Sequence, residues 1–339
     1  MAGARPPVWG RAFCLGKPER DTRQMTKTES LALYLGKYAP DNVAETILAL
    51  AGAAAGIAAQ IRNPQTMLDA AAGDTNADGD TQKQLDVLAD SMIEDALRDT
   101  ATSVYLSEER AAAVDLGAGD LMVACDPLDG SSNIGVNVSV GTIVSVLPAA
   151  GGILQPGKAQ LAACLFVYGP QTTLLLSVGA GTAAFRMNDA AVFHLIDAKV
   201  QIPPKATEFA VNASNQRHWP QPVTLFIDQC LAGSEGVCGR DFNMRWVASL
   251  VAEAWRIACR GGVFLYMDDA RAGYEAGRLR LVYEAAPVAM LIEQAGGRAG
   301  NGMGSILDIT PHDLHQRVPL AFGAAEDVDR LQAHYHAAR

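Results

Sequence analysis

Aromatic residues make up only 6% of this 339-residue chain and charged residues only 19%, against 49% hydrophobic residues. The low charge excludes a disordered polyelectrolyte, and the apolar share is enough for a folded core. Basic residues are also scarce: 27 Lys and Arg stand against 37 Asp and Glu, for a net charge of −10 and a pI near 5.1. Holding a nucleic-acid backbone needs a basic face, so no nucleic-acid partner is expected, and any phosphate ligand must be held by local donors. The six cysteines, Cys14, Cys125, Cys164, Cys230, Cys238 and Cys259, form no Cys-x-x-Cys pair. This argues against a zinc cluster or redox pair and for reduced thiols, with a cytoplasmic location expected. The longest apolar stretches, such as residues 47–59, are alanine-rich and short of the roughly 20 strongly apolar residues a bilayer crossing takes, so no membrane partner is expected. The first 24 residues lack both serine and a continuous apolar signal core. Residues 1–26 are therefore expected to be a disordered N-terminal extension, with Met25 an alternative start.

The length suits two domains packed together. Residues 28–62 are rich in Ala, Leu and Ile and predict one or two helices divided near Pro40. A polar loop over 72–82 leads into a helix over 84–97, where Leu85, Leu88, Met92, Ile93 and Leu97 recur at helical spacing. Residues 121–125 predict a buried strand ending at Asp126, alternation through Val136, Val138 and Val140 and then 143–147 predicts further sheet, and the apolar stretches 161–167 and 173–178 predict more. Ile202-Pro203-Pro204 marks a boundary between an N-terminal domain, 27–202, and a C-terminal domain, 203–339. Within the second, 223–231 and 245–258 predict helices, 263–266 and 279–283 strands, and 287–294 a helix stopping at Gly296-Gly297.

Acidic residues gather in four places: Asp78/Asp80/Asp86, Glu108-Glu109, Asp126/Asp129, and Glu284 at the end of a predicted strand. Magnesium is a hard cation that takes oxygen ligands, so a site for two or three ions needs carboxylates converging from separate elements. Ions so held polarise a phosphoryl group and lower the pKa of an attacking water. The sharpest segment is Asp126-Pro127-Leu128-Asp129-Gly130-Ser131-Ser132-Asn133, directly after a buried strand. Its two carboxylates can face one metal centre, while Gly130 and Ser131 offer backbone N–H groups to a phosphate oxygen. Taken as a bare Asp-x-x-Asp-Gly, the same residues read more readily as an Asx-type turn.

Other readings compete. Asp74-x-Asn76-x-Asp78-Gly79 opens like a calcium loop, but the twelfth position, which needs Glu, is Leu85. His312 and His315 have helical spacing but no third metal partner, and polar packing suits them better. Arg245 and Arg280, out of context, are ordinary ion-pair residues, and Ser107 before Glu108-Glu109 is an ordinary helix cap. The Asp126-x-x-Asp129 spacing does not suit a phosphoaspartyl enzyme, so direct in-line attack by metal-activated water is expected, without a phosphoenzyme.

The octapeptide 126–133 resembles the signature of class 1 fructose-1,6-bisphosphatases, within the lithium-sensitive, magnesium-dependent sugar phosphatase superfamily. The resemblance continues in order through Gly79-Asp80-x5-Asp86, Ser107-Glu108-Glu109, Val140-Gly141-Thr142, residues 261–266, residues 279–284 and His315-Gln316-Arg317. It implies a layered α/β fold with mixed sheets in two domains and the active site between them. It further implies hydrolysis of the 1-phosphate of fructose 1,6-bisphosphate, in gluconeogenesis or the Calvin cycle, by a homotetramer using two to three Mg2+ ions, with Mn2+ a substitute. Metal binding falls to Asp80, Asp86, Glu108, Asp126, the Leu128 carbonyl, Asp129 and Glu284, and catalysis to Glu109 with Asp86. Gly130, Ser131 and Ser132 are expected around the 1-phosphate. Asn212, Tyr266 and Arg245, the last from a neighbouring subunit, are expected at the 6-phosphate, and Arg280 at the sugar.

Three positions depart from the family pattern. Arg278 stands where a lysine is common near the sugar and 1-phosphate, which keeps the charge and changes donor geometry. Trp246 replaces a frequent tyrosine, and Ala286 a frequent asparagine after Glu284. The AMP-binding turn of the regulated animal enzymes and the cysteine insertion of the chloroplast enzymes are not recognisable. Two alternatives follow the main reading: dual activity on sedoheptulose 1,7-bisphosphate, and a catalytically silent regulatory or scaffold homologue.

Overall fold

The computed structural model describes residues 29–63 and 77–339, with side chains for all of these except 77–83. The N-terminal extension expected for 1–26, most of the calcium-like loop and the Asp80 side chain lie outside the described residues. Pro40 divides the first helical region as predicted, into α1 (Leu31–Tyr38) and α2 (Asp41–Arg62). By length and composition alone α2 is apolar enough to cross a membrane. Its Val43, Ile47, Leu50, Ala54 and Ile57 are instead buried in the first core. A third helix, α3 (Ala77–Leu97), buries Leu85, Ala89, Ile93 and Leu97, one residue per turn on one face.

These helices cover one face of an eight-stranded sheet built from β1 (Thr102–Ser107), β2 (Val114–Asp115), β3 (Leu121–Asp129), β4 (Val140–Pro148), β5 (Ala162–Tyr168), β6 (Thr172–Ser177), β7 (Thr182–Met187) and β8 (Phe193–Asp197). The order is β2-β1-β3-β4-β5-β6-β7-β8. The β1–β3 pair is parallel and the others antiparallel, so the sheet is mixed. Strands β3, β5 and β6 are buried along their whole length, which is why they read as near-continuous apolar runs without alternation.

A second sheet has the order β10-β9-β11-β15-β13, from β9 (Glu208–Val211), β10 (Asn243–Met244), β11 (Val263–Tyr266), β13 (Arg298–Gly300) and β15 (Leu320–Gly323). A small ribbon pairs β12 (Leu279–Arg280) with β14 (Arg317–Val318). The remaining helices are α4 (Gln221–Leu231), α5 (Leu250–Arg260), α6 (Ala286–Gln294) and α7 (Ala325–Ala337). Helices α5 and α6 lie between the sheets: Val251, Ile257, Val288 and Leu291 share one core with Ile143 and Leu165 of the first sheet and Phe264 and Phe322 of the second. Helices α4 and α7 cover the far face through Phe226, Ile227, Val328 and Leu331. The layers are therefore helix, sheet, helix, sheet, helix.

Four elements differ from their sequence-based expectation. Helix α3 already begins at Ala77, inside the stretch 72–82 expected as a loop. Residues 131–136 form a 3-10 turn, and β4 begins only at Val140. Arg245 is not helical; it follows edge strand β10, and α5 begins five residues later, capped by the Ser249 hydroxyl on Ala252 N–H. The predicted strand 279–283 is two residues of β12 followed by a π turn, Leu281–Ala285.

Candidate active site

The site grows from the end of β3. Its ladder to β4 is regular to Asp126, breaks, and resumes at Asp129 opposite Gly141. Pro127 and Leu128 sit in the break, where the Thr142 hydroxyl donates to the Pro127 carbonyl (2.7 Å). The bulge places Asp126 and Asp129 together. Leu128 N–H donates to Asp126 Oδ1 (3.0 Å), and Val251 N–H, in the first turn of α5, donates to Asp129 Oδ2 (3.2 Å). Glu284 arrives on the π turn before α6, with Arg280 N–H donating to its Oε2. Turns of this kind are rare and occur frequently at functional sites.

Asp126, Asp129 and Glu284 are all buried, and one carboxylate oxygen from each lies within 4.8 Å of the others. Burial, then the charges of Glu108, Asp129 and Glu284, push the Asp126 carboxyl well above the ordinary range. Burial, with Glu108 adding, raises Asp129 to about 7 against the pull of Val251 N–H. Glu284 is raised well above its usual range by burial and by Glu108 and Asp129. Three buried acids this close cannot all ionise unless a cation joins them. Asp86, on α3, supports the same conclusion: its Oδ2 accepts from the Ser131 hydroxyl (3.3 Å), while its buried Oδ1 has no hydrogen-bond partner among the described residues. An all-oxygen donor set with an orphaned carboxylate oxygen suits a hard divalent ion.

Glu108 follows the end of β1, where its N–H bonds the Cys125 carbonyl (3.0 Å), and its Oε1 meets Arg280 Nε at 3.2 Å. Ser107 does not cap a helix; it closes a turn by accepting from Glu109 N–H (3.2 Å). Partial desolvation and then Asp86, Glu108 and Asp90 raise the Glu109 carboxyl. Sequence inspection missed Asp90 and Arg110, which hold this turn. Asp90 accepts from the Tyr105 hydroxyl (2.8 Å) and from Arg110 Nε (2.6 Å). Its place one helical turn after Asp86 was the available signal.

Gly130 takes a left-handed conformation (φ 73°) that turns the chain into Ser131 and Ser132. Asn133 Nδ2 then donates to the Ala248 carbonyl (2.9 Å), tying this loop to the segment before α5. Asn212 and Tyr266 line one small pocket with Trp219 and Asp269. Trp246 stacks on Phe264 (5.9 Å, 9°) and meets the Tyr266 ring edge-on (6.1 Å, 68°), so it supports the ring. Arg245 is half exposed on the sheet edge and pairs with Glu208 (3.5 Å); among the described residues it has no bond to Asn212 or Tyr266. Arg278 lies over the rings of Tyr266 and Tyr274. Arg280 also donates to the His315 carbonyl (2.9 Å), and His315 Nε2 lies 3.0 Å from the Arg110 carbonyl, so this histidine packs as a polar strut.

Fold and site together define a layered α/β protein with a buried cluster of converging carboxylates beside a Gly-Ser-Ser loop. Two family models match in tandem, the fructose-1-6-bisphosphatase N-terminal domain over residues 36–198 and its C-terminal domain over 202–336. The chain belongs to the fructose-1,6-bisphosphatase family. It is 50% identical to fructose-1,6-bisphosphatase class 1 1 of Nitrobacter hamburgensis over 323 residues, covering 92% of each chain. It is 54% identical to the class 1 enzyme of Sinorhizobium medicae over 273 residues, 77% of this chain and 78% of that one. The crystal structure of Leishmania major fructose-1,6-bisphosphatase in holo form superposes with a TM-score of 0.82 at 31% identity, covering 92% of this chain and all of that one.

Proposed function

We propose that this chain hydrolyses fructose 1,6-bisphosphate at its 1-phosphate, giving fructose 6-phosphate and inorganic phosphate. Family membership names the substrate, and the observation that carries the chemistry is the buried trio Asp126, Asp129 and Glu284 with the orphaned Asp86 Oδ1. Asp80, Asp86, Glu108, Asp126, the Leu128 carbonyl, Asp129 and Glu284 are the proposed ligands of two to three Mg2+ ions. Magnesium held there supplies charge neutralisation at the phosphoryl group and a lowered pKa for the attacking water.

Glu109, with Asp86, orients that water and takes its proton; a carboxyl raised toward neutrality is a better base for the purpose. Gly130, Ser131 and Ser132 hold the 1-phosphate, while Arg280 and Arg278 hold the sugar end. Asn212 and Tyr266 hold the 6-phosphate, and Arg245 serves the same group in the neighbouring subunit of a homotetramer. The half-exposed edge position of Arg245, without a bond to its own pocket, supports that arrangement. The two domains are proposed to meet at residues 202–203. A cytoplasmic location is proposed, with which the five free cysteines among the described residues are compatible.

Phosphate release by the purified chain is the test, from fructose 1,6-bisphosphate, sedoheptulose 1,7-bisphosphate and inositol 1-phosphate, with and without magnesium. The first is expected to turn over fastest and only with the metal. Absence of turnover on all three, with the protein folded and magnesium present, removes the proposed reaction.

A further inference from the structure

The loop 268–277 leads from Tyr266 to Arg278 and closes on Tyr274. Tyr274 N–H donates to the Arg271 carbonyl (3.0 Å), Asp269 N–H to the Tyr274 carbonyl (3.3 Å), and Gly277 N–H to the same carbonyl (3.0 Å). Gly277, at φ 77°, ends the loop against the backbone of residues 318–319, where a Cβ would meet Pro319 N at 2.4 Å, so only glycine fits this approach. The Tyr274 ring is therefore held in a fixed frame. Two guanidinium carbons lie over it, that of Arg271 at 4.4 Å and that of Arg278 at 4.5 Å from the centroid.

The two arginines differ in what else holds them. Arg271 Nε spans both oxygens of the buried Asp269 carboxylate, at 2.9 and 3.1 Å, so its charge is neutralised in place. Arg278 is exposed and has no carboxylate partner among the described residues; beyond Tyr274 it lies 5.7 Å over the Tyr266 ring. A guanidinium on an aromatic face keeps its N–H edge free. Left in solvent, an arginine side chain samples many rotamers, and ordering one on binding weakens affinity. The ring thus holds Arg278 beside the Asn212–Tyr266 pocket with its donors still available.

We propose that Tyr274 is a positioning residue for substrate affinity, presenting Arg278 in one orientation to the anionic sugar end remote from the bond that breaks. The proposal rests on Arg278 touching substrate. It explains how arginine serves at a position where the family commonly has lysine: a flexible ammonium needs no platform, whereas a planar fork gains from one. Arg271 completes the platform by fixing the loop through Asp269.

The test is a kinetic series on the full-length enzyme with fructose 1,6-bisphosphate: Tyr274→Leu, Tyr274→Phe, Arg278→Ala and the Tyr274→Leu/Arg278→Ala double variant, each checked for an unchanged Tm. Tyr274→Leu is expected to raise KM about five- to tenfold with kcat within about twofold, the size of one cation–π contact. Tyr274→Phe, which keeps the ring, is expected near wild type. Arg278→Ala is expected to raise KM at least as much, with no further rise in the double variant. If Tyr274→Leu does not fold, Tyr274→Met asks the same question. An unchanged KM in Tyr274→Leu, equal damage in Tyr274→Phe, or additive effects in the double variant would overturn the proposal. An unchanged KM in Arg278→Ala would instead remove the reading of Arg278 on which it rests.

Discussion

Gly141 stands opposite Asp129 across the β3–β4 ladder. A Cβ there would meet the Phe166 carbonyl oxygen at 2.1 Å and both Val251 methyl groups at 2.9 Å. Backbone oxygen cannot rotate away as a side chain can, so β4 would have to leave β5 or push α5 outward. The second movement also withdraws Val251 N–H from Asp129. Gly141→Ala is therefore expected to destabilise the fold by about 1–3 kcal/mol and to raise the magnesium concentration needed for half-maximal activity. Thermal unfolding and a magnesium titration read the two effects separately. An unaltered Tm would mean that the strands are not held this tightly. Ala248 has a related constraint from the other side. It is a non-glycine residue at φ 58°, and its carbonyl receives Asn133. Strain of that kind persists where surrounding contacts over-determine the backbone, as they do where the phosphate-type loop meets α5.

Helix α5 links the two sheets to the site, because its apolar stripe fills the shared core while its first turn reaches Asp129. The Ser249 hydroxyl caps that turn by accepting from Ala252 N–H (3.3 Å). Ser249→Ala is expected to cost about 1 kcal/mol and to raise the magnesium concentration needed for half-maximal activity with little change in substrate KM, measured by denaturant unfolding and metal titration. Equal loss in KM and metal affinity would show that the cap acts on the whole protein rather than on this turn. The same segment shows where local pattern was insufficient. Apolar residues at 246, 247, 250 and 251 extend the helical pattern back toward Arg245, but Glu253 Oε1 accepts from Val247 N–H (2.9 Å) and the chain leaves the helix to pair β10 with β9. Only a long-range contact decides that. Residues 279–283 failed for another reason: a short apolar run looks the same in a strand and in a buried turn. The carboxylates were legible because Asp126 and Asp129 share one motif; Asp90 was signalled only by its place one helical turn after Asp86, and Tyr274 acts through packing that no spacing announces.

At the scale of the whole molecule, the end of the first sheet, the start of α5 and the turn before α6 bring together buried carboxyls that folding alone leaves without a counter-charge. In the metal-free protein Asp129 has its carboxyl raised to about 7 from 3.8, and Asp126 and Glu284 move in the same direction. A raised carboxyl means that the native state keeps a proton the unfolded chain has already released. Its contribution to stability is complete below the unfolded pKa and is lost as pH rises through the folded one. Asp269, lowered by its Arg271 partner, is ionised in both states above about pH 5 and adds no slope there. Between about pH 5.5 and pH 8 the metal-free protein should thus lose stability as pH rises. The magnesium proposed for this site would bind the ionised carboxylates, so it would remove the penalty and bind more tightly at the upper end, where no proton must leave first. Tm measured in chelator is expected to fall across this range, and saturating magnesium to raise Tm more at the higher pH than at the lower. Asp129→Asn, which cannot titrate, should flatten the metal-free slope and reduce the magnesium response. A metal-free Tm that stays level with pH, or a magnesium shift that is the same at both ends, would show that the carboxylates are separated or hydrated in solution, and the convergent site would lose its electrostatic basis.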